Sequence, residues 1–225
     1  FDLDSAKFLN SLGVKYFKTA SPDLHDFFLH KYLSTLNKKI IISTGMSNQK
    51  EIEQCLKLYK KKSNIALLHC VSSYPAKHKS INMRALNILK KYTSNIGFSD
   101  HTLDNLASVV AVSFGSKIIE KHFTLDKKMK GPDHKFSLNP NELKLFKEKI
   151  RETEIIMGKE EKKCQIEEKL NKQITVKNIF AKRKIYKGKK INESDLYLKR
   201  SGNGLMGSEI YKIINKVSKK NILAN

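Results

Sequence analysis

The chain has 225 residues, enough to bury a sizeable core as one large domain or as two unequal ones. Its formal net charge is +22, yet all but four of its 44 basic residues are Lys. Nucleic-acid surfaces favour Arg and interleave aromatic residues, so this composition does not indicate a nucleic-acid partner.

No apolar run approaches the ~20 residues of a membrane-spanning helix, and the chain shows no charged-then-apolar leader. We therefore expect a cytoplasmic protein without a membrane partner. The three cysteines, Cys55, Cys70 and Cys164, are too few and too scattered for a disulfide framework or a thiolate zinc site.

Short apolar runs alternate with amphipathic segments along the first two thirds of the chain. After a helix at 1–12, the pattern predicts strands at 14–20, 39–43, 65–69, 96–98 and 117–122. Between them it predicts helices at 23–33, 83–92 and 106–114, the last with Val109 and Val110 in the core. A further helix is predicted to follow an N-cap at Ser47. Asn139 and Glu142 predict a capped helix that runs to about Met157.

Strands that alternate with helices predict parallel βα units. A complete α/β barrel has eight such units in about 250 residues. We therefore predict an α/β fold in which residues 1–158 are a partial (β/α)8 TIM barrel, its last five βα units, without the first three strands. A charged linker at 159–173 follows, and the short strands and turns of 174–225, with a first strand at 174–181, predict a small, mostly β domain.

Polar side chains cluster where the predicted strands end, the edge at which α/β barrels carry their chemistry. Strand alternation places Glu120 and His122 on one face and Lys121 on the other. A second strand ends in the same way, with Ser99 and His101. A carboxylate beside an imidazole suits a metal or acid–base site, although a solvated loop remains the alternative for either segment alone.

Seven motifs stand at or near the predicted strand ends and turns; in chain order they are KTAS, STGM, HCVSSYPA, GFSDHT, EKHFTLD, GPDHKFSL and KRSGNGL. Together they resemble the sialic acid synthase family, whose small C-terminal module is an antifreeze-like (SAF) domain. The resemblance implies condensation of phosphoenolpyruvate with N-acetylmannosamine or a related N-acyl sugar to give a sialic acid and phosphate. It also implies a divalent metal, Mn²⁺ or Mg²⁺, held by His101 and His122.

The resemblance assigns further roles by matching position. Glu120 and Asp133 match acidic residues at the sugar, and Arg200 matches an arginine that reaches the sugar in the neighbouring subunit of a domain-swapped homodimer. The residues that match phosphoenolpyruvate-binding positions are Lys18, Ser21, Ser43, Ser72, Tyr74 and Ser99. Ser72 and Ser201 depart from the family pattern, where some relatives carry Asn and Pro.

Two other functions remain open from the sequence. The same chemistry on a diacetamido-trideoxy sugar would give legionaminic or pseudaminic acid, and a non-catalytic carbohydrate-binding module is the third candidate. Because the missing strands contribute a lysine and an acidic residue in this family, we expect the 225-residue chain alone to be inactive.

Overall fold

Five parallel strands form one sheet in the order of the chain. They are β1 (Tyr16–Thr19), β2 (Lys39–Ser43), β3 (Ile65–Cys70), β4 (Ile96–Asp100) and β5 (Ile118–Lys121). The structure is a computed structural model that describes residues 2–61 and 64–224. It divides into two compact units, Phe1–Lys159 and Glu160–Asn225, and the sheet belongs to the first.

The sheet is curled into a half-barrel. In a flat sheet the first and fifth strands would lie about 19 Å apart, at ~4.8 Å per strand. Instead, Lys18 on β1 places its Nζ atom 3.4 Å from Oε2 of Glu120 on β5. The predicted fold class, a partial TIM barrel, is therefore confirmed for this unit, with the two side chains meeting across the inner face.

Helices cover the outer face of the half-barrel. They are α1 (Leu3–Ser11), α2 (Phe27–Thr35), α3 (Gln49–Leu56), α4 (His78–Ile81), α5 (Leu86–Leu89), α6 (Leu106–Ser113) and α7 (Pro140–Met157). Ile42, Leu67 and Phe98 point outward from their strands and are fully buried against this layer. The main core therefore lies between the sheet and the helices, while the polar side chains of Lys18, Ser99 and Glu120 project from the inner face.

Several predicted boundaries were wrong. Asn48, rather than Ser47, caps α3, because its side chain accepts from the Glu51 amide while Glu51 bonds back to the Asn48 amide. The predicted helix at 83–92 is a 3₁₀ turn followed by a single α-helical turn, after Asn82 in a left-handed conformation. The predicted helix at 23–33 is also divided, by Asp26, into a 3₁₀ turn and α2.

The buried face of α6 also differs from the prediction. Ala107, Ala111 and Val112 are buried there, whereas Val109 and Val110 are only half-buried. Ala107 and Ala111 are less hydrophobic than the two valines, so hydrophobicity alone did not predict which face of α6 is buried. The capped helix predicted from Asn139 is confirmed as α7, with the reciprocal Asn139–Glu142 bonds in place.

The second unit contains a helix and a two-stranded antiparallel sheet. Helix α8 (Glu168–Thr175) precedes β6 (Lys177–Ala181), which pairs with β7 (Leu196–Arg200). Ile174 lies in the helix, so the strand begins three residues after the predicted start at 174. The small core of the second unit comprises Ala181, Ile185, Ile191 and Leu196. No described helix in either unit is long and apolar enough to cross a membrane.

Candidate functional site at the carboxyl ends of the strands

Two imidazoles meet at the carboxyl edge of the half-barrel. His101 directly follows β4 and His122 directly follows β5, and their ring centroids lie 5.2 Å apart. Each ring engages a neighbour through Nδ1: His101 bonds the Val71 carbonyl at 2.9 Å, and His122 lies 3.7 Å from Oδ2 of Asp133. No hydrogen bond in the described part of the chain engages Nε2 of either ring.

Main-chain bonds hold the loops that flank these rings. The Ala76 amide donates to the His101 carbonyl at 2.9 Å, which returns the loop after β3 to the end of β4. The Leu138 amide donates to the His122 carbonyl at 2.8 Å, which does the same for the loop after β5. Each histidine therefore sits at a fixed junction, since its own main chain anchors the neighbouring loop.

These anchored loops bring two aromatic rings onto the imidazoles. Tyr74 lies 4.3 Å from His101 and 5.7 Å from His122 between ring centroids. Phe136 lies 5.2 Å from His122 and 5.7 Å from Tyr74. Phe136 was not predicted as a site residue, although it stands inside the GPDHKFSL motif, because it lies 14 positions after His122 in the chain. The four rings form a partly exposed, semi-apolar wall.

A carboxylate and an ammonium lie below the imidazoles on the inner face. Ser99 donates to Oε1 of Glu120 at 2.6 Å, as their register on β4 and β5 allows. Lys18 contacts the other oxygen of Glu120 and donates to the Thr19 carbonyl at 2.9 Å. Three of the predicted site residues thus form one contact chain across the barrel.

Small polar groups surround Gly45 on the same side of the sheet. Its amide donates to Oγ of Ser21 at 3.0 Å, and Oγ of Ser72 lies 3.9 Å from Sγ of Cys70. A Cβ atom on Gly45 would come within 2.5 Å of Ser72 and 2.7 Å of Ser21, so glycine is what lets these hydroxyls converge. Oγ of Ser43 is buried and has no hydrogen-bond partner among the described residues.

The environment shifts the pKa values of the site in opposite directions. Burial acts to lower the pKa of His101, but bonds to Cys70 and the Val71 carbonyl outweigh it, so this pKa is raised. Burial and the neighbouring charge of His101 lower the pKa of His122, against the opposing effect of Asp133. His122 is therefore the ring that stays neutral to lower pH, the form in which imidazole binds metals.

Two residues near the strand ends lie elsewhere. His69, the first residue of the HCVSSYPA motif, faces the helices, where Nε2 contacts the Ile81 carbonyl at 2.5 Å and the ring packs on Phe98. Arg200 is exposed at the end of β7, opposite Lys177, in the second unit.

A divalent cation fits this donor set only in part. Two imidazoles with Nδ1 engaged and Nε2 unengaged are the pattern of metal-binding histidines. However, no group of three His, Cys, Asp or Glu side chains within residues 2–61 and 64–224 is arranged to hold an ion. Among the described residues, the two imidazoles are therefore the side chains that could serve as ligands here, and the other positions of an ion would fall to small molecules.

The fold and the site together define an α/β-barrel protein whose polar groups gather at the carboxyl ends of its strands. Family comparison specifies this further. The chain belongs to the NeuB family, whose model matches residues 1–162, and a SAF domain model matches residues 176–225.

Named relatives cover nearly all of the chain. It is 42% identical to N,N'-diacetyllegionaminic acid synthase of Campylobacter jejuni, over 98% of this chain and 68% of that protein. It is 32% identical to N-acetylneuraminate-9-phosphate synthase of Drosophila melanogaster, over 98% of this chain and 67% of that protein. The chain thus spans about two thirds of the length of the curated relatives it matches.

A solved structure agrees with the half-barrel. The crystal structure of N-acetylneuraminic acid (sialic acid) synthetase from Leptospira borgpetersenii, in complex with citrate, superposes with a TM-score of 0.71 at 33% identity. The superposition covers 76% of this chain and 61% of that chain.

Proposed function

We propose that the protein containing this chain condenses phosphoenolpyruvate with N-acetylmannosamine or a related N-acyl sugar, forming a sialic acid and releasing phosphate. One observation supports this above others: the imidazoles of His101 and His122 lie 5.2 Å apart above the inward-facing Glu120 and Lys18. The names of the relatives, both sugar-acid synthases, agree with this reaction.

In this proposal the imidazoles of His101 and His122 would hold Mn²⁺ or Mg²⁺. When bound, such an ion supplies Lewis-acid polarisation of the sugar's aldehyde oxygen. The chain's own contribution is orientation, because the Val71 carbonyl and Asp133 direct the two rings through their Nδ1 atoms.

Phosphoenolpyruvate is proposed to bind along the inner face. Its anionic groups need a positive charge and several donors. Lys18 supplies the charge, and the hydroxyl of Ser43, which has no partner within residues 2–61 and 64–224, is a buried donor that a bound oxygen would satisfy. The further hydroxyls proposed to contribute are those of Ser21, Ser72, Tyr74 and Ser99.

Glu120 is proposed to bind a sugar hydroxyl or to move a proton near the reacting carbons. Ser99 and Lys18 hold its two carboxylate oxygens, which fixes its position on the inner face. Asp133 is more exposed and is proposed to contact the sugar from the rim while it orients His122.

Phosphate release by the complete protein tests the proposal directly. With Mn²⁺, phosphoenolpyruvate and N-acetylmannosamine we expect phosphate release, and His101→Ala and His122→Ala should each abolish it. His78→Ala is the matched control, since His78 is half-exposed and pairs with Asp104. Full activity in either of the two site variants would exclude the metal-binding assignment.

Arg200 is proposed to complete the sugar site of a partner subunit in a domain-swapped homodimer. Arg200→Ala and His122→Ala are then each inactive alone, but mixed subunits should regain partial activity, because one site of each mixed dimer is intact. Activity that never returns after subunit exchange would contradict action in the partner's site.

A second candidate substrate follows from the identities. The legionaminic acid synthase is 42% identical to this chain and the N-acetylneuraminate-9-phosphate synthase 32%. A side-by-side assay with N-acetylmannosamine and diacetamido-trideoxy sugars distinguishes the candidates by their kcat/KM ratio. Sugar binding that needs no metal and releases no phosphate would instead indicate a carbohydrate-binding module.

A further inference from the structure

A buried ion pair lies directly behind the two histidines. Asp100 and Lys121 are the last residues of β4 and β5 and are register partners in the sheet. Their side chains leave the sheet on the outer face, opposite Ser99 and Glu120. Nζ of Lys121 lies 3.0 Å from Oδ2 of Asp100, and the two side chains are 4% and 0% exposed.

Hydrogen bonds engage every polar atom of this pair. One Asp100 oxygen accepts from the Thr102 amide at 2.8 Å and from its hydroxyl at 2.7 Å, and the other accepts from Ser108 at 2.5 Å. Besides Asp100, the Lys121 ammonium donates to the carbonyls of Thr102 at 2.6 Å and Asp104 at 3.0 Å. The pair therefore joins β5 to the turn that follows β4.

Stability alone does not account for this arrangement. A buried ion pair costs so much desolvation that a well-packed apolar pair of similar volume is often as stable. Directionality is different, because the ion pair and the two hydrogen bonds from Lys121 to the carbonyls of Thr102 and Asp104 tie the end of β5 to the end of β4. The next residue on each strand is His101 or His122, so the pair sets the separation of the imidazoles.

We propose that Asp100 and Lys121 are positioning residues for the two histidines, holding them at the separation that a divalent cation requires. The proposal rests on the metal assignment made under the proposed function. Neither residue would touch a bound ion, since both side chains lie on the opposite face of the sheet. They act through the main chain, by preventing the two strand ends from shifting or slipping in register.

Measurements of Mn²⁺ affinity distinguish a positioning role of the Asp100–Lys121 pair from a role in folding alone. In the complete protein, Lys121→Met removes the ammonium, and the double variant with Asp100→Asn removes both charges without leaving a bare buried carboxylate. We expect Mn²⁺ binding, followed through the electron paramagnetic resonance signal of the free ion, to weaken by about 10–100-fold in both variants. Circular dichroism and urea midpoints check that each remains folded.

The matched control lies at the other end of the same strand. Ile96→Ala opens a cavity at the start of β4, where Ile96 is buried, and should lower stability while leaving Mn²⁺ affinity within twofold of the unaltered protein (about 0.4 kcal/mol). If Ile96→Ala weakens Mn²⁺ binding as much as the pair variants do, positioning is excluded in favour of general destabilisation.

The remaining outcomes separate the two proposals. A folded double variant with unchanged Mn²⁺ affinity overturns the positioning role while the metal site stands. A double variant that cannot fold also overturns it, because the pair would then be needed for the fold itself. If the unaltered protein binds no Mn²⁺, the metal assignment fails and the positioning role fails with it.

Discussion

Replacing Gly97 by Ala tests how closely β4 packs between its neighbours. A Cβ atom at this position would lie 2.4 Å from the Ile118 carbonyl oxygen, 2.4 Å from Cδ2 of Leu68 and 2.9 Å from Cβ of Ile118. The Leu68 methyl can rotate away, but the Ile118 oxygen belongs to the main chain of β5. Because carbon contacts become favourable only near 3.5–4.0 Å, β4 and β5 would have to move apart by roughly 1 Å to accommodate the added Cβ atom.

The energy of this overlap can be bounded. Overpacking a rigid core typically costs ~1–3 kcal/mol, and a main-chain obstacle places Gly97→Ala at the upper end. The unfolded chain has less conformational entropy with Ala than with Gly, which offsets ~0.4–1 kcal/mol of this loss in unfolding free energy. The expected net loss is therefore about 2 kcal/mol in the free energy of unfolding, or roughly 4–8 °C in Tm for a domain of this size.

Urea and thermal unfolding measure this loss, with Gly45→Ala as the matched control. The atoms nearest to an added Cβ at Gly45 are side-chain atoms of Ser72, Ser21 and Cys70, which can rotate. Gly45→Ala should therefore cost less than about 1 kcal/mol in unfolding free energy, while it raises KM for phosphoenolpyruvate. A Gly97→Ala protein within about 0.5 kcal/mol of the unaltered one would refute the packing argument.

Three further predictions concern single side chains. Burial lowers the pKa of His30 from its usual 6.5, so the unfolded chain binds a proton that the folded chain does not, and stability falls as the pH drops below 6.5. His30→Gln keeps a polar partner for Tyr59 and should make the free energy of unfolding depend less on pH below 6.5, as measured by urea unfolding at several pH values. An unchanged pH dependence would contradict this prediction. Asn139→Ala should lower the unfolding free energy by about 1 kcal/mol, because the reciprocal bonds with Glu142 are lost; a change near zero in urea unfolding would contradict the cap. Ser43→Ala should raise KM for phosphoenolpyruvate with little change in stability, since its hydroxyl has no partner among the described residues, and an unaltered KM would remove Ser43 from the site.

Local patterns in the sequence predicted all five strands in chain order, with their ends correct to within two residues. The strand Lys39–Ser43 was predicted to the residue because an apolar run between polar flanks specifies it locally. The Asn139 cap was predictable for the same reason, since its partner Glu142 is three residues away. Short-range signals failed where several short helical turns compete, as between Met83 and Leu89.

Only the tertiary structure decided which side chains meet. Lys18 touches Glu120 because the sheet curls, and curvature is a property of all the strands together. Phe136 reaches His122 because a loop is tied back by the Leu138 amide, and Asp100 pairs with Lys121 through strand register. Sequence periodicity specifies which face a residue occupies, but the partner across that face depends on packing between segments that are distant in the chain.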